Sequence, residues 1–300
     1  MSGSIFDQLR ADHAALEVID AERFPHPDDT RVIAVANQKG GVGKTSTAVN
    51  VAASLAEAGL HVLVIDADSQ GNASTALGVE HGEDTASIYD VLVEGARIED
   101  VVVQTRFAPS LWCVPASIDA AAVEIELIHA SQREARLALA LREYLRGREE
   151  AQLPRLDYVF IDCPPSLGIM TVNAFVAAGE VLIPMQAEYY ALEGLALLTR
   201  SIDRIAEVHN PELEVSMIVL TMFDQRTTLA REVESEVRTY FPAATLDTKI
   251  PRSVRVAEAP SFGAPVVFWD PRSTGAVAYK QLSQEIASRG VSGHDDVEEA

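Results

Sequence analysis

The sequence predicts an α/β fold in which a mostly parallel, twisted sheet carries helices on both faces. Three observations support this. Short apolar runs alternate with stretches of helical period from Arg31 to Ser288, the pattern of repeated βαβ units. The runs Leu60–Asp66 and Tyr158–Asp162 are apolar almost throughout rather than at every second position, as strands are when both faces of their sheet are covered. A glycine-rich loop, residues 38–46, stands between the first strand and the first helix.

The elements follow in order. Strands are expected at Arg31–Asn37, Leu60–Asp66, Leu111–Val114, Tyr158–Asp162, Val181–Met185, Val215–Met222 and Thr245–Ile250. Helices are expected at Thr45–Ala58, Ala120–Arg146, Met170–Ala178, Leu192–His209, Thr228–Phe241 and Gly275–Ser288. Gly59 follows the first helix, where a left-handed C-terminal residue belongs. These elements form one domain over residues 31–290. Residues 1–30 read as an acidic N-terminal extension. Phe6, Leu9, His13, Leu16 and Ile19 recur at helical spacing there, and Pro25 and Pro27 stop the pattern. Such a helix could pack on its own domain or serve as a partner-binding arm. Residues 291–300 read as an acidic tail.

Hydrophobic residues make up 48% of the chain, enough for a core. No apolar run reaches the roughly 18 residues needed to span a bilayer, so no membrane insertion is expected. No basic segment followed by an apolar one opens the sequence, and two cysteines are too few for a disulfide framework; a cytoplasmic location is expected. The net charge of −21 repels nucleic acid on average, so any DNA binding has to use a local patch. Residues 221–280 are the candidate: they hold eight Lys or Arg against seven acids.

The loop reads Gln38-Lys39-Gly40-Gly41-Val42-Gly43-Lys44-Thr45-Ser46. A strand–glycine loop–helix unit ending in Gly-Lys-Thr is a phosphate cradle. Its backbone N–H groups turn toward phosphate oxygens and the helix N-terminus adds positive potential. Lys44 is expected to reach the β- and γ-phosphates of ATP and the Thr45 hydroxyl to ligate Mg²⁺. The usual first glycine would stand at 38, where this chain has Gln38, and it carries an additional Lys39. Lys39 lies on the leading arm of the loop and cannot easily duplicate Lys44. It is expected to cross to the nucleotide of a second subunit, making ATP part of a homodimer interface.

Two strands end in acids. Ligands in open α/β sheets sit at the carboxyl ends of strands, which places Asp66 and Asp68 beside the loop. One is expected to serve the lysine and metal shell and the other the attacking water. Asp162 ends the apolar strand Tyr158–Ile161, the arrangement of an acid that reaches Mg²⁺. Cys163 beside it reads as a small buried apolar residue.

The run Asn37–Thr45 resembles the ParA/Soj/MinD superfamily of deviant-Walker ATPases. Asp66–Asn72, Phe160–Ser166, Leu220–Thr227, Ile250–Arg255 and Glu258-Ala259-Pro260 narrow the resemblance to ParA/Soj chromosome- or plasmid-partitioning ATPases. The likeness runs from about Arg31 to Ser288. It implies an ATP hydrolase of slow intrinsic turnover with ATP and Mg²⁺ as cofactors. It also implies an ATP-bound sandwich dimer that binds double-stranded DNA without sequence preference. A ParB-like centromere-binding protein would stimulate hydrolysis and release that dimer, giving a nucleoid-associated protein. By residue, the resemblance implies Lys39 acting across the dimer and Gly40, Gly41, Val42, Gly43, Lys44, Thr45 and Ser46 around the phosphates. It implies Asp68 positioning the hydrolytic water, Asp162 as the Walker B acid, Pro251 and Ser253 near the adenine, and Arg226 and Arg255 on DNA. Ser253 stands where that family often has asparagine. A MinD-like membrane ATPase would share the chemistry, but it would need a basic amphipathic C-terminus, and this one is acidic.

Overall fold

Alternating residues of the central strands go to opposite hydrophobic layers. Tyr158 and Phe160 join one cluster, Val159 and Ile161 the other. That is the period of two expected of a strand, and because both clusters are apolar the strand reads as an unbroken apolar run. The computed structural model describes residues 24–82, 85–116 and 123–290. The helix expected before residue 24 and the acidic tail after residue 290 lie outside them.

The strands are β1 (Arg31–Val35), β2 (Val62–Asp66), β3 (Val103–Gln104), β4 (Leu111–Val114), β5 (Tyr158–Asp162), β6 (Glu180–Gln186) and β7 (Glu214–Thr221). They form one sheet in the order β3-β4-β2-β5-β1-β6-β7. All pairs are parallel except β3–β4. In register, Asp162 lies opposite Val35 on one side and Asp66 on the other, so three strands end together.

The helices are α1 (Lys44–Glu57), α2 (Asn72–Ala76), α3 (Ile98–Val101), α4 (Val123–Glu126), α5 (Arg136–Glu150), α6 (Ile169–Ala177), α7 (Ala191–Val208), α8 (Thr228–Tyr240), α9 (Val254–Glu258), α10 (Val266–Trp269) and α11 (Thr274–Ser288). Helices α1 and α11 cover one face of the sheet with β1, β2 and β5 side chains. Helices α5, α6, α7 and α8 cover the other. The architecture is the expected α/β sandwich.

Two expected elements differ. The helix expected at Ala120–Arg146 is not continuous. After α4 a tight turn covers Leu127–His129, Gln132 adopts φ +52°, and α5 begins at Arg136. Asn173 of α6 intrudes at the break, accepting from the Leu137 amide and donating to the Arg133 carbonyl; a tertiary side chain thus caps the second helix. The strand expected at Thr245–Ile250 runs beside β7 but pairs with it only toward its two ends, through an isolated bridge of Ile218 to Thr245 and through Ile250, whose amide donates to the Leu220 carbonyl and whose carbonyl accepts from the Phe223 amide. Its middle leaves the ladder because the Asp247 and Thr248 amides donate to the Glu285 carboxylate instead, at 2.8 and 2.9 Å.

The segment leading into β1 lies against the domain. Phe24 is buried in the core, His26 pairs with Asp157 at 2.9 Å, and Arg155 donates to the Pro27 and Asp28 carbonyls. The Thr30 hydroxyl donates to the Leu156 carbonyl at 2.6 Å.

Candidate nucleotide and metal site

A cavity of about 420 Å³ opens at the carboxyl ends of the strands, where ligands of open α/β sheets sit. Gly40, Gly41, Gly43, Lys44, Thr45 and Ser46 form its floor. Gly43 has φ +88° and is the residue that turns the loop into α1, a conformation that side-chain-bearing residues adopt at a cost. Gly41 is also left-handed, at φ +74°. Val42 is buried beneath the loop. A somewhat larger cleft, about 510 Å³, lies at the amino ends of β1 and β6. It is lined by Arg31, Arg142 and Glu180 among others and holds no glycine loop.

Lys44 is only 7% exposed and faces the acids. Burial lowers its pKa, while Asp162 and Asp68 pull it back up. Asp162 is fully buried, and neither carboxylate oxygen has a hydrogen-bond partner. Burial, reinforced by Asp66, raises its pKa well above the carboxylate range, and Thr45 and Lys44 oppose that. A buried carboxylate without a donor calls for a cation. The Thr45 hydroxyl and the Asp162 carboxylate are hard oxygen donors of the kind that suits Mg²⁺.

Asp66 and Asp68 sit in different environments, and the metal-shell place expected for Asp66 is not the one its hydrogen bonds give it. Asp66 is buried, and one of its oxygens accepts both the Ser74 amide and the Ser74 hydroxyl at 2.7 Å. The other accepts the Asp68 amide at 3.3 Å. Burial pushes the Asp66 carboxyl up to about 6, against those hydrogen bonds. With its oxygens so engaged, Asp66 braces the loop that carries Asp68. Asp68 lines the cavity, and its Oδ1 accepts from the Gln70 amide at 3.1 Å. The loop then closes through Gly71, whose amide donates to the Asp68 carbonyl. Cys163 is buried and its thiol pKa is raised by that burial, which makes it an unreactive thiol.

The other sequence-selected residues lie around this centre. Lys39 does not line the cavity. Its side chain is half exposed and pairs with Glu188, just beyond the end of β6. Pro251 bridges to Phe223 beside β7, and Ser253 caps α9 by accepting from the Val256 amide. The wall above them is made by Val256, Ala259, Pro260 and the Ala264–Val266 segment; of these the sequence had marked only Ala259 and Pro260, as part of the family resemblance and with no role attached. Val49 and Asn50 of α1 also line the cavity. They stand four residues beyond Thr45 and Ser46, a spacing that helical period could have flagged. Arg226 is bound at both ends of its guanidinium by Asp224, at 2.7 and 2.8 Å. Arg255 pairs with Glu258 and Asp270 and stacks over Trp269. Both arginines are exposed, and both already have carboxylate partners.

Residues 30–215 match the family described as AAA domain. The chain is 48% identical over 259 residues to the chromosome partitioning protein ParA of Caulobacter vibrioides, covering 86% of this chain and 94% of that protein. It is 45% identical over 260 residues to the sporulation initiation inhibitor protein Soj of Bacillus subtilis, covering 87% and 99%. Among solved structures, it resembles one described as cobyrinic acid a,c-diamide synthase of Mycobacterium smegmatis with bound ADP and magnesium. The TM-score there is 0.70 at 34% identity, over 85% of this chain and 92% of that one. A glycine loop with a buried lysine at its end, a donor-free acid on the adjoining strand and relatives of this identity and coverage lead to one conclusion: the chain belongs to the ParA/Soj family of ATP-dependent partitioning ATPases.

Proposed function

We propose that ATP closes two copies of this chain face to face, with Lys39 of each acting on the phosphates held by the other. The observation that carries this reading is the separation of the two lysines. Lys44 is buried in the cavity, whereas Lys39 stands outside it, exposed, on the leading arm of the same loop. Two ammonium groups so placed do not serve one phosphate from one side. Glu188 is the partner that Lys39 gives up on closure.

Within each subunit Gly40–Ser46 hold the phosphates, and Lys44 neutralises the β- and γ-oxygens. Mg²⁺, when bound, supplies charge neutralisation between those oxygens; Thr45 and Asp162 are the residues that hold it. Asp68 positions the attacking water, and Asp66 with Ser74 keeps the Asp68 loop in place. Pro251 and Ser253 fix the segment leading into α9, and the adenine lies against Val256 and Pro260.

The closed dimer binds double-stranded DNA without sequence preference through a surface containing Arg226 and Arg255. A ParB-like centromere-binding protein stimulates hydrolysis, and the dimer leaves the DNA. Such a cycle belongs to a cytoplasmic, nucleoid-associated protein; among the described residues no helix is long and apolar enough to cross a membrane. The decisive experiment is sedimentation with ATP, with ADP and without nucleotide, for the wild type and Lys39→Ala. The proposal expects a dimer only for the wild type with ATP. A Lys39→Ala dimer of equal stability would refute the action across the interface.

A further inference from the structure

Three successive carbonyls of the phosphate loop are held from behind. The Gly41 carbonyl accepts from Gln186 Nε2, at the end of β6, at 3.1 Å. The Val42 carbonyl accepts from Thr221 Oγ1, at the end of β7, at 2.7 Å. The Gly43 carbonyl accepts from the Thr47 amide at 2.9 Å, the first turn of α1. Every peptide bond described is trans, and in a trans peptide the C=O and N–H point in opposite directions. Fixing the Gly41, Val42 and Gly43 carbonyls therefore aims the Val42, Gly43 and Lys44 amides the other way, toward the cavity. Among the described residues those three amides donate to no protein acceptor.

We infer that Gln186 and Thr221 are positioning residues for phosphate binding: they hold two peptide planes of the loop so that its N–H groups face the phosphates. Helix geometry by itself aims only the last of the three. Left-handed glycines make the loop pliable, so without outside holds the first two planes are free to rotate. Thr221 suits the task because it is 2% exposed. Its hydroxyl therefore meets no competing water, and the bond it makes is electrostatically stronger than it would be in water. Gln186 suits it because its side-chain amide nitrogen reaches the Gly41 carbonyl while it lies against Met222 Sδ. The Gly41 carbonyl needs a donor, which sets the amide with its nitrogen toward the loop. Met222 itself lines the cavity with a left-handed backbone, φ +49°. The same side chain thus ties the phosphate floor to the cavity wall.

The inference rests on the phosphate role proposed for residues 40–46, and the test separates the two. Thr221→Val removes the hydroxyl at nearly constant volume and leaves the Val42 carbonyl buried without a donor; Thr221→Ser keeps the hydroxyl. Calorimetric titration with ADP is expected to show Thr221→Val weaker by about tenfold, equivalent to about 1.4 kcal/mol, with Thr221→Ser close to wild type. Gln186→Leu is expected to weaken ADP binding in the same direction. In steady-state turnover both losses should fall on KM for ATP with kcat little changed, because amides that hold phosphate serve ground and transition states alike. A merely structural role would instead lower the melting temperature without ligand and would follow side-chain volume, so that the smaller Thr221→Ser fails at least as badly as the isosteric Thr221→Val. That outcome, or ADP affinity within about twofold of wild type for Thr221→Val, overturns the inference. If Thr221→Val does not fold, Gln186→Leu decides by the same criterion. Lys44→Ala is the control: if it too binds ADP normally, the phosphate reading of the loop is what has failed.

Discussion

Lys39 and Glu188 form an ion pair within one subunit, on the outside of the phosphate loop. Both side chains are about half exposed, at 50% and 52%, so the pair is screened and contributes on the order of 0–1 kcal/mol. A contact of that size can be exchanged for a phosphate at modest cost. Glu188→Gln removes the partner without removing bulk. The variant is expected to dimerise at ATP concentrations up to about fivefold lower than wild type, an upper bound set by the strength of an exposed pair. Sedimentation across an ATP series measures it, and an unchanged midpoint would show that the pair does not compete with closure.

Asp68 is expected to matter for turnover and not for binding. Asp68→Ala should retain ATP and dimerise, while phosphate release falls by about 100-fold or more, the usual range for a lost water-positioning group. The DNA-bound form should then persist. A phosphate-release rate equal to that of wild type would remove Asp68 from the reacting centre.

The two arginines proposed for DNA already have carboxylate partners, which gives the proposal an unusual test. Asp224→Asn keeps the contact to the Arg226 amide but frees the guanidinium and removes one negative charge. It should tighten ATP-dependent DNA binding, whereas Arg255→Glu should weaken it on all sequences. Each phosphate neutralised contributes a slope of about −0.9 to the dependence of log affinity on log salt, so Arg255→Glu should flatten that slope by roughly one. Equal DNA binding by wild type and both variants would move the DNA surface elsewhere.

Asp162 is a buried carboxyl group whose oxygens have no hydrogen-bond donor, a costly arrangement in the absence of a cation. Asp162→Asn should raise the melting temperature of the nucleotide-free protein, by about 2–4 °C for each kcal/mol relieved in a chain of this size. The same change should abolish the magnesium dependence of ATP binding. A lower melting temperature for the variant would mean that Asp162 is stabilised by contacts other than the proposed cation.

The segment before β1 provides a fifth test. Phe24 is buried and His26 is bonded to the buried Asp157. Deleting residues 1–23 should leave basal ATPase activity roughly intact. Deleting residues 1–29 should cost stability on the order of 3–5 kcal/mol, since a large buried aromatic is lost. Equal thermal stability of the two truncations would show that Phe24 packing contributes little.

The local sequence was sufficient wherever a function requires a local pattern. Gly41, Gly43, Lys44 and Thr45 announce a phosphate cradle because a short loop joining strand to helix must present amides, charge and hydroxyl within one turn. Asp162 was legible because it ends an apolar strand, and β1, β2, β4 and β5 were legible because sheet burial leaves unbroken apolar runs. The interruption before Arg136 and the straying of Thr245–Ile250 were not, since Asn173 and Glu285 cause them from distant positions. Likewise, nothing in the residue pattern near Gly41 and Val42 shows that Gln186 and Thr221 hold their carbonyls, from 145 and 179 positions away. Which acid braces and which faces the cavity also waited on the fold, because Asp66 and Asp68 differ only through Ser74 packing on the first. Helical and strand periods record what a residue's near neighbours require. Ties across the sheet depend on strand order, and strand order exists only once the chain has closed.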